Sequence, residues 1–253
     1  MGRVIRLVYS SFDALKTAQD NPDKKVVFLA IGFETTAPAI AATVLEAQRL
    51  GLENFFILSA HKLLPPALAA LLNSGDLNIQ GFIYPGHVTT VIGTAAYEQV
   101  AQTYHVPGVV CGFEPVDILE TVLLLVEQIE KGQVKVEIQY KRGATAEGNL
   151  KALAVLNQVF IPCDAPWRGL GLIPNSGLTL RSEYRAFAAE DHFDLNVPPA
   201  KDHPGCSCGE VLRGVMTPLQ CKLFGTVCLP DNPLGPCMVS TEGTCAAYYK
   251  YRE

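Results

Sequence analysis

The chain has 253 residues, with 20 Lys and Arg against 25 Asp and Glu, a formal net charge of −5, and 49% hydrophobic residues. The apolar fraction supports a buried core and excludes wholesale disorder. The acidic balance, with no local run of Lys or Arg, excludes the clustered cations a nucleic-acid binder needs to displace counterions from phosphates. Two arginines break the start Met1-Gly2-Arg3-Val4-Ile5-Arg6, so no signal peptide is read there. Arg6 stands where a myristoylation signal wants Ser or Thr. Glu120 and Glu127 interrupt the longest apolar stretch, Ile118 to Ile129, so no membrane span is expected. The expected setting is the cytoplasm, with no nucleic acid and no membrane as partner.

Val26 to Ile31 is a short, continuous apolar run of the kind a buried parallel strand shows. Gly32 ends it. Thr35 or Thr36 is placed to cap a helix, Pro38 suits its first turn, and Ile40, Val44 and Ala47 recur at helical spacing until Gly51. Phe55 to Leu58 reads as the second strand and Pro65 to Leu72 as a helix. Gly81 to Tyr84 is a third strand cut by Pro85-Gly86, and Thr94 to Tyr104 is helical. Gly108 to Cys111 is a fourth strand. A long amphipathic helix follows from Pro115, with Ile118, Leu119, Val122, Leu125, Val126 and Ile129 as its apolar stripe.

Val134 to Tyr140 alternates like an edge strand, Leu150 to Asn157 is helical, and Val159-Phe160-Ile161 is a sixth strand that Pro162 stops. Alternation of this kind predicts parallel sheets covered on both faces. Beyond Pro162 the stretch Trp167 to Pro174 reads as irregular, Tyr184 to Ala189 as a short helix, and 191–204, with Pro198-Pro199, as a linker. Gly32-Phe33-Glu34 and Gly112-Phe113-Glu114 echo one another, each after a strand and before a Pro-marked helix. The echo is either chance or the mark of two similar halves facing a shared cleft.

The eight cysteines carry the chemistry. Cys111 and Cys163 are scattered, while Cys206, Cys208, Cys221, Cys228, Cys237 and Cys245 crowd the C-terminal tail. A reducing compartment disfavours structural disulfides, so metal binding or redox chemistry is the better reading. The paired C-x2-C knuckles of zinc sites are absent, and six sulfurs exceed one tetrahedral site. A set of about four thiolates holds one [4Fe–4S] cluster and would leave a dithiol beside it. Zinc and structural disulfides stay open on spacing alone. At strand ends, Glu34, Thr35 and Thr36 stand where a helix N-terminus holds an anion or caps itself. His61 follows a strand, and His87 follows another within a Pro-Gly turn, a place suited to proton transfer. Glu242, between Cys237 and Cys245, is placed either to approach the cysteines or to remain in solvent. Neither a Gly-x-Gly-x-x-Gly motif, a P-loop nor a nucleophile elbow occurs.

Taken together, several segments resemble the HypD family of [NiFe]-hydrogenase maturation factors. They are Gly32-Phe33-Glu34-Thr35-Thr36-Ala37-Pro38, Pro85-Gly86-His87-Val88, Cys111-Gly112-Phe113-Glu114-Pro115, Trp167-Arg168-Gly169-Leu170-Gly171 and the run from Cys206 to Tyr251. The resemblance implies a scaffold that works with a HypC-like chaperone to hold an iron ion while cyanide and carbon monoxide are attached. The cyanide comes from a HypE-like donor, and the Fe(CN)2CO group passes to the hydrogenase large subunit. It implies a [4Fe–4S] cluster on Cys206, Cys221, Cys228 and Cys245, with Cys208 and Cys237 as the dithiol, as in ferredoxin:thioredoxin reductase. Glu34, Thr35, Thr36, His87 and Glu242 then belong to the cleft around the scaffolded iron. The alternative is a reductase-like thiol–disulfide oxidoreductase, and a third reading is a zinc-stapled binding module.

The implied fold class is α/β, with two Rossmann-like parallel-sheet halves plus a small irregular cysteine-rich iron–sulfur module. The expected divisions are 1–110, 111–200 (second half and linker) and 201–253. The family's N-terminal Cys-Gly-Gly-His-type and Gly-Pro-x-Cys-Pro-x-Cys motifs have no counterpart in this sequence. A shortened chain is therefore expected, one that builds its cluster without holding Fe(CN)2CO and that self-associates through an uncovered face.

Overall fold

A computed structural model describes residues 4–195 and 203–251. The Pro198-Pro199 part of the expected linker lies outside the described residues. In chain order the elements are α1 (Ser11–Gln19), β1 (Val26–Gly32), α2 (Ala37–Arg49), β2 (Phe55–His61), α3 (Leu64–Leu72), β3 (Phe82–Pro85), α4 (Gly86–Ile92), α5 (Ala95–Tyr104) and β4 (Gly108–Cys111). Then come α6 (Pro115–Glu130), β5 (Val136–Ile138), α7 (Leu150–Val159), β6 (Phe160–Trp167), β7 (Gly171–Leu180), α8 (Ala189–His192), α9 (Cys208–Leu212), α10 (Pro236–Val239) and α11 (Thr244–Tyr251). Two parallel sheets carry the α/β character. β1 pairs β2 in register from Val26↔Phe55 to Gly32↔His61, and β3, β4 and β5 pair in that order.

The sequence reading departs from the structure in three places. β6 does not join a parallel sheet or stop at Pro162. It runs on to Trp167 and forms an antiparallel hairpin with β7, whose residues were expected to be irregular. A strand with a single partner keeps one side free of ladder bonds, and proline is tolerated there. Pro85-Gly86 does not simply end β3: α4 starts at once, with His87 in its first turn. The apolar stripe of α6 faces outward. Leu119 is 70% exposed, while Asp117, Thr121 and Gln128 are the buried positions.

α1, α2, β1, β2, α7, β6 and β7 share one core around Ile40, Val44, Phe55, Ile57, Val159 and Phe160. Each such buried side chain contributes roughly 1.5–3 kcal/mol by leaving water. A second core, under the β3–β4–β5 sheet, stacks Tyr84 on Tyr97 with ring centroids 4.2 Å apart. His61 closes β2 within the first core. Ser59 Oγ donates to the Leu178 carbonyl at 2.7 Å and lies 3.0 Å from His61 Nδ1, so Nδ1–H is the donor to Ser59. Nε2 is buried and unpartnered, and burial pushes the imidazole down to about 4.

Asp117, at the third position of α6, organises the end of the second sheet. Its carboxylate accepts the backbone N–H groups of Phe113 at 2.9 Å and Glu114 at 3.0 Å. It also accepts from Gln139 Nε2 at 2.9 Å and from both guanidinium arms of Arg142. The Arg142 side chain beside it, with these donors, holds the carboxyl well below the usual carboxylate range.

Two acid limbs follow. The unfolded chain protonates His61 near its ordinary value of about 6.5, whereas the folded chain resists until about 4. Stability therefore falls between those values, by up to about 3 kcal/mol, and His61→Gln flattens this limb in urea titrations taken across that range. Asp117 contributes stability that is present above about pH 4 and lost as pH falls further, because the folded carboxyl stays ionised longer than the unfolded one. Asp117→Asn lowers the neutral-pH urea midpoint and removes that second limb. The uncovered stripe on α6 is an association hazard, and Leu29 and Ile31 of β1, at 60% and 66% exposure, form a second exposed apolar face. Sedimentation velocity is expected to show mass rising with concentration, and Leu119→Glu with Val122→Glu to reduce it.

Candidate metal centre

The module from 203 to 251 is built from short helices and turns. α9 has five residues and α10 four, too few to be stable alone. Its turns are set locally. Thr217 and Gln220 form a capping box before a single 3₁₀ turn, and Gly225 turns the chain back so that its N–H meets the Cys228 carbonyl. Its buried apolar cluster is Cys208, Val211, Phe224, Cys228, Cys237, Met238, Cys245 and Ala246, with Cys206 and Cys221 partly buried against it. All eight cysteines of the chain are free thiols.

A narrow pocket of about 10 Å³ lies among these sulfurs, walled by Cys206, Cys208, Cys221, Cys228 and Cys245 and by apolar neighbours including Phe224 and Met238. Gly235 closes one side. A Cβ there would overlap the Sγ atoms of both Cys206 and Cys208, so only glycine admits the sulfurs at this approach. Cys237 is not on the wall, but its backbone N–H donates to Cys208 Sγ at 3.4 Å. The Sγ atoms of Cys208, Cys237 and Cys245 lie within 4.8 Å of one another, a spacing that suits a metal ion. This triad joins the two expected dithiol cysteines to one expected cluster ligand.

The thiols differ electrostatically. Donation from the Cys237 thiol, with help from the Cys237 backbone N–H, pulls Cys208 down to about 6 despite its burial. The same contact holds the proton on Cys237 and pushes that thiol up. Burial raises Cys206 to about 11 and Cys245 to about 12. A soft donor set of buried thiols, aimed at a dry pocket, fits a thiophilic metal or an iron–sulfur cluster.

A second, open groove of about 310 Å³ reaches Cys206 and Cys208 from outside, between Ser74, Leu170, Glu210 and Arg213. The tip of the β6–β7 hairpin lies against it. A Cβ on Gly169 would stand 3.6 Å from Cys208 Cβ, and the Arg168 guanidinium donates to the Leu234 carbonyl at 3.1 Å.

The strand-end residues lie apart from the sulfurs. Glu34 is 3% exposed; one oxygen accepts the Leu64 N–H at 2.8 Å, the other is unpartnered, and burial pushes the carboxyl up. Thr35 and Thr36 are exposed. Thr36 takes the N-cap position of α2 but donates its hydroxyl to the Phe33 carbonyl at 3.1 Å rather than capping. It packs over Gly32, whose φ of +140° no side chain readily adopts. His87 is exposed, with its ring stacked on Phe113 at 3.9 Å between centroids. Glu242 is exposed on the turn before Gly243, and a Cβ on Gly243 would overlap the Cys237 carbonyl. Among the described residues Glu242 has no hydrogen bond or ion pair with Glu34 or His87. Sequence reasoning missed Asp117, Tyr140 and Arg142. The legible signal was an acidic residue in the first turn of a Pro-marked helix.

Comparison with known proteins bears on the whole chain. The family model described as "HypD: Hydrogenase formation hypA family" matches residues 1–252. The hydrogenase maturation factor HypD of Azotobacter vinelandii is 48% identical over 256 aligned residues, covering 99% of this chain and 68% of that protein. HypD of Escherichia coli is 47% identical over 253, covering 100% and 68%. A putative hydrogenase expression/formation protein of Methanocaldococcus jannaschii is 45% identical over 248, covering 98% and 69%. A match along nearly all of the sequence, at close to half identity with bacterial and archaeal proteins alike, is membership: the chain belongs to the HypD family of hydrogenase formation proteins.

Proposed function

We propose that the chain acts in hydrogenase maturation as a cytoplasmic scaffold with an iron–sulfur redox module. With a HypC-like chaperone it takes part in assembling the Fe(CN)2CO group from iron and from cyanide delivered by a HypE-like donor, for the hydrogenase large subunit, the holding of the finished group resting on the family's N-terminal motifs that this sequence lacks. The observation that carries the redox half is the sulfur-walled pocket with one cysteine pair set at its edge. Family membership favours maturation over a free-standing thiol–disulfide oxidoreductase.

In this reading Cys206, Cys221, Cys228 and Cys245 hold a [4Fe–4S] cluster, the division that the resemblance implies; all four wall the pocket, as Cys208 does too. When bound, the cluster supplies one-electron storage next to the dithiol. Cys208 and Cys237 are the pair that closes to a disulfide: an S–S bond forms, two electrons pass to an external electron acceptor, and the proton held on Cys237 is released. Their contact supports this, since the Cys237 thiol and N–H both favour a thiolate on Cys208, and the thiolate is the reactive form. The outer groove gives a partner access to Cys208. The hairpin tip, at Gly169 and Leu170, forms one wall of that groove. Glu34, Thr35, Thr36, His87 and Glu242 are assigned to the cargo iron and its ligands. His87 is the exposed proton carrier of that set, and Glu34 is its buried, proton-retaining carboxyl.

Anaerobic purification tests the cluster. Iron and acid-labile sulfide are expected at about four each per chain, with a visible absorption band bleached by dithionite. Zinc without sulfide, even after reconstitution, overturns the reading. Cys221→Ser and Cys228→Ser are expected to lose most of the iron and sulfide. Cys237→Ser is expected to keep both, while the loss of one partner abolishes the reversible dithiol seen by alkylation and mass spectrometry. If Cys237→Ser empties the centre as Cys228→Ser does, the division between ligands and dithiol is wrong.

A further inference from the structure

We propose that Phe113 is the positioning residue for His87, holding its imidazole in one orientation at the end of the second parallel sheet. The inference rests on the reading of His87 as a working residue of the cleft and adds what fixes it there. His87 sits in the first turn of α4 with its side chain exposed, where a histidine would ordinarily sample several rotamers. Instead its ring lies on Phe113, with centroids 3.9 Å apart and planes 25° from parallel. Phe113 is 52% exposed, so hydrophobic burial does not account for its place. It is held from behind. Asp117 accepts its backbone N–H at 2.9 Å, and Tyr140 meets its ring edge-on at 5.6 Å and 86°.

Tyr140 is itself seated in space that three glycines leave open. A Cβ would stand 2.9 Å from its ring at Gly86, 2.8 Å at Gly112, and in overlap at Gly143. None of the three has a positive φ, so backbone conformation does not demand glycine at these places; space does, for the Cys111 carbonyl as well as the ring at Gly86, for the Asp117 carboxylate as well as the ring at Gly112, and for the ring at Gly143. Gly86 is the residue before His87, and a Cβ there would also lie 3.3 Å from Phe113. The same glycines that admit Tyr140 therefore bring the start of α4 down onto Phe113. The corresponding Phe33 of the first half meets Trp167 at 6.1 Å and carries no histidine. The platform is thus particular to His87.

The test has a spectroscopic arm and a cellular arm. The chain has five histidines, so imidazole signals can be assigned by single substitutions. The His87 ring protons are expected upfield of the other four, moved to the free-histidine position by Phe113→Leu, and restored by Phe113→Tyr. An unshifted His87 signal, or one indifferent to Phe113→Leu, overturns the proposal. Phe113→Leu keeps an apolar side chain, and a circular dichroism spectrum matching the parent shows that the loss of stacking is not unfolding. In cells, substitutions made in the gene at its own locus are read as hydrogenase activity. His87→Ala and Phe113→Leu are both expected to give a severalfold loss, and Phe113→Tyr to retain most of it. Loss with His87→Ala but none with Phe113→Leu overturns positioning while leaving His87 in its role. No loss with His87→Ala overturns the role of His87 and the proposal with it, whatever the spectra show.

Discussion

Sulfur takes the place of hydrocarbon at the centre of the tail module, and much of the remaining architecture leans on that substitution. Cys208, Cys228, Cys237 and Cys245 make up half of the buried apolar cluster there, beside Val211, Phe224, Met238 and Ala246. Helices of four or five residues add little order of their own. A segment this small holds one conformation when something joins its side chains, as disulfides or metals do in small domains. Thiols crowded around a pocket supply neither by themselves. The proposed cluster would therefore be a folding element as well as a redox centre, and its loss would be felt beyond the sulfurs.

The route outward from the module is visible. Asn78, on the loop after α3, donates its backbone N–H to the Arg213 carbonyl at 2.9 Å. The β6–β7 tip is fastened through Arg168 and lies against Cys208 at Gly169. One residue earlier in the same hairpin, Trp167 meets Phe33 at 6.1 Å and lies under Lys62 at 5.9 Å. A change in the seat of Cys208 would thus reach the end of β1 through one short, rigid hairpin. The expectation of an irregular stretch at Trp167 to Pro174 hid this link, because Pro162, Pro166 and Pro174 mask the strand pattern in the sequence.

Continuous apolar runs made β2 and β4 legible, since a strand buried on both faces needs no alternation; β1 was read as buried in the same way, but its Val27, Leu29 and Ile31 face is exposed. The cysteine spacing made the metal centre legible, because side-chain chemistry does not depend on the fold to be recognised. The outward direction of α6 was not legible. Its stripe has the period of a core-facing helix, yet Asp117, Thr121 and Gln128 turn inward because hydrogen bonds hold two of them: Asp117 to Arg142 and Gln139, Gln128 to Glu137 at 3.0 Å. Periodicity finds the stripe but not what the stripe faces. His61 and Glu34 were visible as residue types after strands, but their burial, and the neutral forms it favours, come only from packing.

The repeated Gly-Phe-Glu sequence shows how little a shared tripeptide decides. Gly32 adopts a φ of +140°, whereas Gly112 is not in the left-handed region. After Glu34 the chain runs through Thr35 and Thr36 before α2 begins, leaving the carboxyl free to turn inward and cap the Leu64 N–H at the start of α3. After Glu114 comes Pro115 at once, so Glu114 is itself the N-cap of α6 and its side chain stays 74% exposed, 3.6 Å from Arg142. Asp117 then takes the inward role that Glu34 fills in the first half. Two strand ends with one sequence signature thus present opposite chemistry: a buried carboxyl biased to keep its proton on one, and an exposed imidazole braced on an aromatic ring on the other.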